Sequence, residues 1–390
     1  MHDGGEYSLY HSALSLLTQT GIEIKTLAIN TPKFWINPAD LPLDFLKQAK
    51  FESMYVDTRV KPLQAFLNLF TRKSYFVSRF YSEAFKDRIV ELLQSGTYDI
   101  VLLEHLYLCV YLDDIRMHSR ARVVLRAQNV EYKLWERYLA NHKKILSYWY
   151  LEIATRRLGR FEAAMTAKVD GVIVLTEQDQ NELQALNPGT PFKTIPLGFD
   201  FDRLKNYDFE AQFRNKPVVY HLGSMDWLPN IQGIKWFIEQ VLPIILLKRP
   251  DMEIRLAGKK MPSWIYKHQS KNLIIDGEVP DAMLYQVDKP ILIVPLLSGS
   301  GIRVKIIEGL ALGKTIVSTS LGAAGIEPGP RNPILIADDA ESFAEKIIQC
   351  VDSVDFCKDS SGKARALAFE LFRLETLGKK TIDFFDELPK

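Results

Sequence analysis

Short runs of aliphatic and β-branched residues recur through the second half of the chain: PVVYHLG (217–223), MEIRLAG (252–258), NLIIDG (272–277), PILIVPL (290–296) and KTIVST (314–319). Between them, apolar positions at helical spacing predict helices over 230–248, 281–287, 302–312 and 339–351. Apolar runs that do not alternate belong to strands buried on both faces, and strands separated by helices belong to a parallel sheet. Several of these strands end in Gly, Asp or Ser, at the carboxyl edge where such sheets hold their ligands. The first half repeats the pattern less regularly. It predicts strands at 22–30, 98–105, 121–129, 170–176 and 192–198, with long helices around 60–94 and 133–168. The polar, turn-rich segment 198–217 reads as a linker. The expected fold class is α/β: two doubly wound, Rossmann-like parallel-sheet domains facing each other across a cleft. They span 1–200 and 201–372, and a terminal helix, 373–390, crosses back to the first domain.

One element is out of place. DGGEYSLYHSALSLLTQTG (3–21) has the glycine turn and first helix of a doubly wound domain, but no strand precedes it. That strand belongs near the middle of the sheet, and without it two strands each carry an unpaired backbone edge. The natural protein is therefore expected to begin upstream of Met1.

Composition narrows the partners. A chain of 390 residues suits two domains, and 49 basic against 48 acidic residues give a net charge of +1, with no global field for nucleic acid. Cys109, Cys350 and Cys357 form neither a C-x-x-C pair nor a disulfide framework, which points to a reducing compartment. No apolar run reaches the ~18 residues of a membrane span. The first residues, MHDGGEYSLYHS, lack the basic start and apolar core of a signal peptide. A cytoplasmic protein is expected. The stretch FLNLFTRKSYFVSRFYSEAFKDR (66–88) mixes aromatics with five basic residues. It reads either as packing within the first domain or as a face for peripheral contact at the inner surface of a membrane.

Candidate chemistry concentrates in SGSGIRVKIIEG (298–309). A glycine turn opening a helix is an anion site, because the first amides of the helix are unpaired. Gly299, Ser300 and Gly301 permit close approach, Arg303 can clamp two phosphate oxygens, and Lys305 supplies a point charge. Glu308 suits hydroxyls on the same ligand. A nucleotide-diphosphate sugar has both features. The bland alternative is a solvated helix face with a Lys305–Glu308 surface pair. DFD (200–202) matches an Asp-x-Asp metal pattern but lies in the linker with no second carboxylate cluster, so no metal is assigned. The DD pairs at 113–114 and 338–339 read as turn or helix-start acids. Neither G-x-G-x-x-G nor a Walker loop occurs.

The run GSGIRVKIIEGLALGKTIVSTSLGAAGI (299–326) resembles the donor signature of retaining glycosyltransferases of the GT-B fold, the "glycosyl transferases group 1" family. HLGSMDWLPNIQGIKWFIEQVLP (221–243) is similar to that family's domain-opening strand, loop and helix, and VVLRAQNVEYKLWER (123–137) to a stretch of its acceptor domain. The resemblance implies transfer of a sugar from a nucleotide sugar, as co-substrate, with retention and with neither metal nor cofactor. The setting it implies is cell-surface polysaccharide or lipopolysaccharide assembly on a saccharide or lipid-linked saccharide acceptor. Glu308 matches the second of the family's two motif glutamates, on the ribose hydroxyls, whereas Ser300 stands where the first would be. The loop GSMDWLPN (223–230) lacks the Arg and Lys that many members place there, leaving Arg303 and Lys305 as replacements. Gly258 and Glu278 are expected beside the nucleotide base. In the first domain, Gly4, Gly5, Glu104, Arg126, Asn129 and Glu131 are expected on the acceptor side. His105 resembles in position a histidine near the reacting carbon, while Gln128 stands where relatives often have histidine. Two rivals remain open at this stage: a non-catalytic nucleotide-sugar-binding subunit and a nucleotide-sugar epimerase of the same architecture.

Overall fold

A computed structural model describes residues 4–141, 148–299, 301–326 and 332–389. The chain divides into two units, one of Met1–Pro196 with Leu374–Lys390 and the other of Leu197–Arg373.

In the second unit the apolar runs become six parallel strands: β7 (Val219–Leu222), β8 (Ile254–Ala257), β9 (Leu273–Gly277), β10 (Ile291–Val294), β11 (Thr315–Ser318) and β12 (Leu335–Ile336). Their order is β12-β11-β10-β7-β8-β9. Strand order therefore reverses between β7 and β10, and the loops that leave their carboxyl ends diverge and open a crevice at that edge. Strand residues such as Val219, Ile254, Ile291, Ile293 and Val317 bury fully against helix residues such as Phe237, Ile245, Phe343 and Ile347. The sequence pattern missed only the two-residue β12. The 198–217 segment is not a free linker. Asp200 caps a short 3-10 turn, Phe201–Leu204, and the fully buried Phe199 donates its amide to Phe372 O at 2.8 Å. Gln212 is buried and accepts from Lys314 Nζ at 3.0 Å, so the segment is packed into the second unit.

In the first unit, β1 (Leu27–Asn30) pairs with β2 (Glu52–Tyr55), and β3 (Ile100–Leu103), β4 (Arg122–Ala127), β5 (Gly171–Val174) and β6 (Phe192–Thr194) form a second parallel sheet. Among the described residues β1 and β3 are each paired on one edge only. The half-polar ESMY of β2 gave no strand signal. The long helix expected around 60–94 is three helices, Pro62–Asn68, Tyr75–Ser78 and Glu83–Ser95, and the one around 133–168 is Glu131–Asn141 and Tyr148–Lys168. The last helix, Leu374–Glu387, packs Leu377, Phe384 and Phe385 against Leu16, Val124 and Ile173. A side chain at Gly378 would collide with Ser15 O, so the last helix and the helix Gly4–Leu17 touch backbone to backbone.

Candidate functional site

Two loops meet at the switch point of the second unit. The first leaves β7 through Gly223. Asn230, in the helix Leu228–Trp236, donates to Ser224 O at 2.8 Å, and Ser224 Oγ donates to Asp226 Oδ1 at 2.7 Å. Lys260 closes the loop from outside by donating to Asp226 Oδ2 at 2.7 Å. Gly223 and Gly258 lie backbone on backbone, and a Cβ at Gly258 would overlap Gly223 O. Gly258 thus packs directly against the start of the first loop. Glu278 follows β9 with its carboxylate exposed, 3.8 Å from Lys259 Nζ.

The second loop leaves β10 and turns into the helix Val304–Ala311. Gly299 at φ 115° and Gly301 at φ 75° occupy the left-handed region, where a side chain is strained. Ser300 lies outside the described residues. Arg303 caps the helix with extended backbone and is only 5% exposed, its guanidinium 5.2 Å from the Trp227 ring centre. A Cβ at Gly299 would stand 2.9 Å from Arg303 Nη2, so glycine there leaves room for the guanidinium. The helix starts directly after Arg303, and the first amides of a helix have no partner within it.

Lys305 does not pair with Glu308. Its Nζ donates to Asn230 Oδ1 at 2.9 Å and lies 3.3 Å from His221 Nε2. The fully buried His221 holds Ile293 O at 3.0 Å through Nδ1, which assigns the proton to Nδ1 and leaves Nε2 as an acceptor for the amine. Burial, and then the charge of Lys305, keep the His221 pKa well below its ordinary value. Burial, with Arg303 beside it, pulls Lys305 down to about 7, against an opposing pull from Glu308. Burial also pushes Glu308 up to about 7, although Arg203 and Lys305 act the other way. Arg303, Lys305, Gly299 and Gly258 therefore converge on one crevice, with Glu308 one helical turn further on. The arrangement can hold a polyanion at its mouth and hydroxyls behind it.

In the first unit the candidate residues form two linked clusters. Glu104 accepts from Ser12 Oγ at 2.5 Å and pairs with Arg126 at 3.3 Å, while Arg126 and Gln128 also engage Ser8. Arg126 is buried, so its charge braces the helix Gly4–Leu17 against the strand ends. Gly4 and Gly5 begin that helix. His105 Nδ1 accepts from the Tyr107 amide at 3.3 Å, and its Nε2 lies 3.6 Å from Glu131 Oε1. Tyr107 donates to Glu131 Oε2 at 2.9 Å. Asn129 is half-buried in the turn between β4 and the helix Glu131–Asn141. Glu162, which sequence reasoning missed, accepts from the amides of Glu131 and Tyr132 at 2.9 and 3.0 Å and so holds that helix end. Burial pushes its carboxyl up to about 8 against these two donors. His221, Asn230, Trp227 and Arg203 were missed as well. Only His221 left a signal, as a polar residue inside an otherwise apolar buried strand.

This double α/β fold, with its ligand crevice at a switch point, is the fold class of GT-B glycosyltransferases. Sucrose-phosphate synthase of Thermosynechococcus elongatus superposes with a TM-score of 0.68 over 97% of this chain and 91% of its own, at 14% identity. HepE of Anabaena, in complex with UDP-glucose, gives 0.63 over 100% and 97%, also at 14% identity. At such identities the likeness shows the fold. Residues 216–353 match the family model of glycosyl transferases group 1. It is also 23% identical to an uncharacterized 44.6 kDa protein of the cps region of Klebsiella pneumoniae, over 74% of this chain and 72% of that one.

Proposed function

We propose that this glycosyltransferase moves a sugar from a nucleotide-diphosphate sugar to a saccharide or lipid-linked saccharide acceptor, with retention of configuration. Its setting on this reading is the cytoplasmic side of cell-surface polysaccharide or lipopolysaccharide assembly, and the cps-region relative supports that setting. The observation that carries the proposal is that Arg303 and Lys305 lie together at the glycine turn that leads into the helix Val304–Ala311 at the switch point. Arg303 and Lys305 hold the diphosphate, and both strengthen their grip as the leaving group gains charge, which lowers the barrier more than the ground state. Glu308 accepts from the ribose hydroxyls. Gly258 borders the ligand, and the base lies toward Glu278. The acceptor hydroxyl attacks the anomeric carbon from the face the diphosphate leaves. The carbon–oxygen bond to phosphate breaks, and the hydroxyl proton passes to the departing phosphate oxygen. No metal or resident cofactor enters this scheme. In the first unit, His105 and Glu131 face the acceptor, with Asn129 beside them, and Glu104 and Arg126 set the helix that begins at Gly4 and Gly5.

The test is a thermal-shift screen against uridine, guanosine and thymidine diphosphates, followed by incubation with the matching nucleotide sugars. Binding to the native state raises the melting temperature, and slow hydrolysis or transfer then supports the proposal. A nucleotide sugar bound tightly without release of nucleotide would make the protein a binding subunit, and a new sugar epimer would make it an epimerase. A liganded crystal with the nucleotide away from Arg303 would overturn the site.

A further inference from the structure

The helix Pro62–Asn68 and the residues after it present an apolar stripe to solvent. Leu63, Phe66, Leu67 and Phe70 fall at i, i+3, i+4 and i+7, the spacing that lines one helix face. In a globular domain that face normally turns inward. Here Leu63 is 70% and Phe70 79% exposed, and Phe66 and Leu67 are more than half exposed, while Ala65 on the opposite side is buried. The element is held in place at both ends. Tyr75 Oη accepts from the Lys61 amide at 2.9 Å, and Arg157 donates to the carbonyls of Asn68 and Leu69 at 2.8 and 2.9 Å. Phe66 and Phe70 meet edge to face, 5.6 Å between ring centres. The stripe is therefore a fixed feature of the surface. It also relocates the sequence-stretch reading of 66–88: Phe76, Val77 and Phe85 enter the core of the first unit, and the exposed apolar surface begins earlier, at 63.

Charge says what covers it. From 58 to 82 the chain carries Arg59, Lys61, Arg72, Lys73 and Arg79 and no acidic residue. Asp57 takes up Arg59 at 2.8 Å and Lys61 at 3.5 Å, whereas Arg72 and Lys73 are exposed and make no ion pair among the described residues. An apolar stripe of about 10 Å beside uncompensated cations matches an anionic bilayer interface, where the rings enter the acyl boundary and the cations meet headgroup phosphates. A second copy of this chain fits less well, because a two-fold contact would set basic residues against basic residues. We propose that the surface formed by Leu63, Phe66, Leu67, Phe70, Arg72 and Lys73 docks the protein on anionic lipid bilayers. The surface belongs to the first unit and the candidate donor site to the second, and the proposal does not depend on the donor-site assignment.

The experiment is co-sedimentation of the full chain with vesicles of phosphatidylcholine alone or mixed with phosphatidylglycerol. The wild type should sediment with the anionic vesicles, and the bound fraction should fall as salt rises. The double variants Phe66→Ser/Phe70→Ser and Arg72→Glu/Lys73→Glu should each weaken the partition about tenfold or more. Both pairs face solvent, so their thermal unfolding midpoints should stay near wild type, and nucleoside diphosphate binding should be unchanged. No vesicle binding by the wild type, or binding that both variants retain, overturns the proposal. So does a concentration-dependent dimer in sedimentation velocity that the Phe66/Phe70 variant abolishes, since a second copy would then cover the stripe.

Discussion

The Lys305 amine lies 3.3 Å from Nε2 of the buried His221, a ring whose other nitrogen is committed to Ile293 O. A neutral imidazole and an amide oxygen thus position a lysine that makes no ion pair with a carboxylate among the described residues. Its proton is weakly held, at about 7, and an arriving polyanion favours the charged form. Nucleotide binding should therefore take up a proton above pH 7, and affinity should fall as pH rises through that value. Glu308, raised to about 7, must be ionised to accept two hydroxyls, so affinity should also fall as pH drops. The product is a bell-shaped affinity profile centred near neutrality. Titration calorimetry across pH checks it: Lys305→Arg should flatten the alkaline limb and Glu308→Gln the acid limb.

On the proposed mechanism, Arg303 acts on charge that develops during reaction. Arg303→Ala should lower kcat about 10²–10³-fold, with the unfolding midpoint little changed because the residue caps its helix through backbone and not side chain. Arg303→Lys should rescue little, since a point charge loses the planar fork. Near-normal turnover in the alanine variant would remove Arg303 from the mechanism.

Two glycines of the crevice should separate function from stability. A Cβ at Gly223 would stand 2.5 Å from Lys305 Nζ and 2.9 Å from Asn230 Nδ2, side-chain atoms that can shift where backbone cannot. Gly223→Ala should therefore weaken nucleotide binding about tenfold at modest cost to the fold. A Cβ at Gly258 would instead overlap the Gly223 backbone. Gly258→Ala should cost about 3 kcal/mol in urea unfolding, because the sheet edge must move.

Lys314 makes a separate test of buried charge. It is fully buried, donates to Gln212 Oε1 at 3.0 Å and to Gln286 O at 2.6 Å, and burial lowers it to about 7. An unfolded lysine titrates near ~10.4, so between these values the unfolded state binds more protons and stability rises with pH. Urea unfolding at pH 7 and pH 9 should show that rise. Lys314→Met should reduce it, leaving the share due to Lys305, and should cost about 1–3 kcal/mol at pH 9 by stranding two acceptors.

Five of the six strands of the second unit were legible because a parallel strand buried on both faces leaves an unbroken apolar run, as in ILIV of β10. The first unit was less legible for the converse reason. Its β2, ESMY, is half-exposed and opens with two polar residues in a row, and the three helices over 62–95 share one continuous helical pattern whose breaks depend on packing. The exposed stripe at 63–70 has the same spacing as a buried one, so periodicity announced the helix but not which way it faced.

For the site, the sequence by itself determined the loop chemistry around Arg303, because glycines, cations and a helix start are neighbours in the chain and their local geometry follows from backbone rules. Only the tertiary structure decided what Lys305 does. Its partners, His221 and Asn230, are 84 and 75 residues away and come within reach because β7 and β10 lie side by side at the point where strand order reverses. A charge's role depends on what surrounds it, and those surroundings are assembled by the sheet and not by the neighbours in sequence.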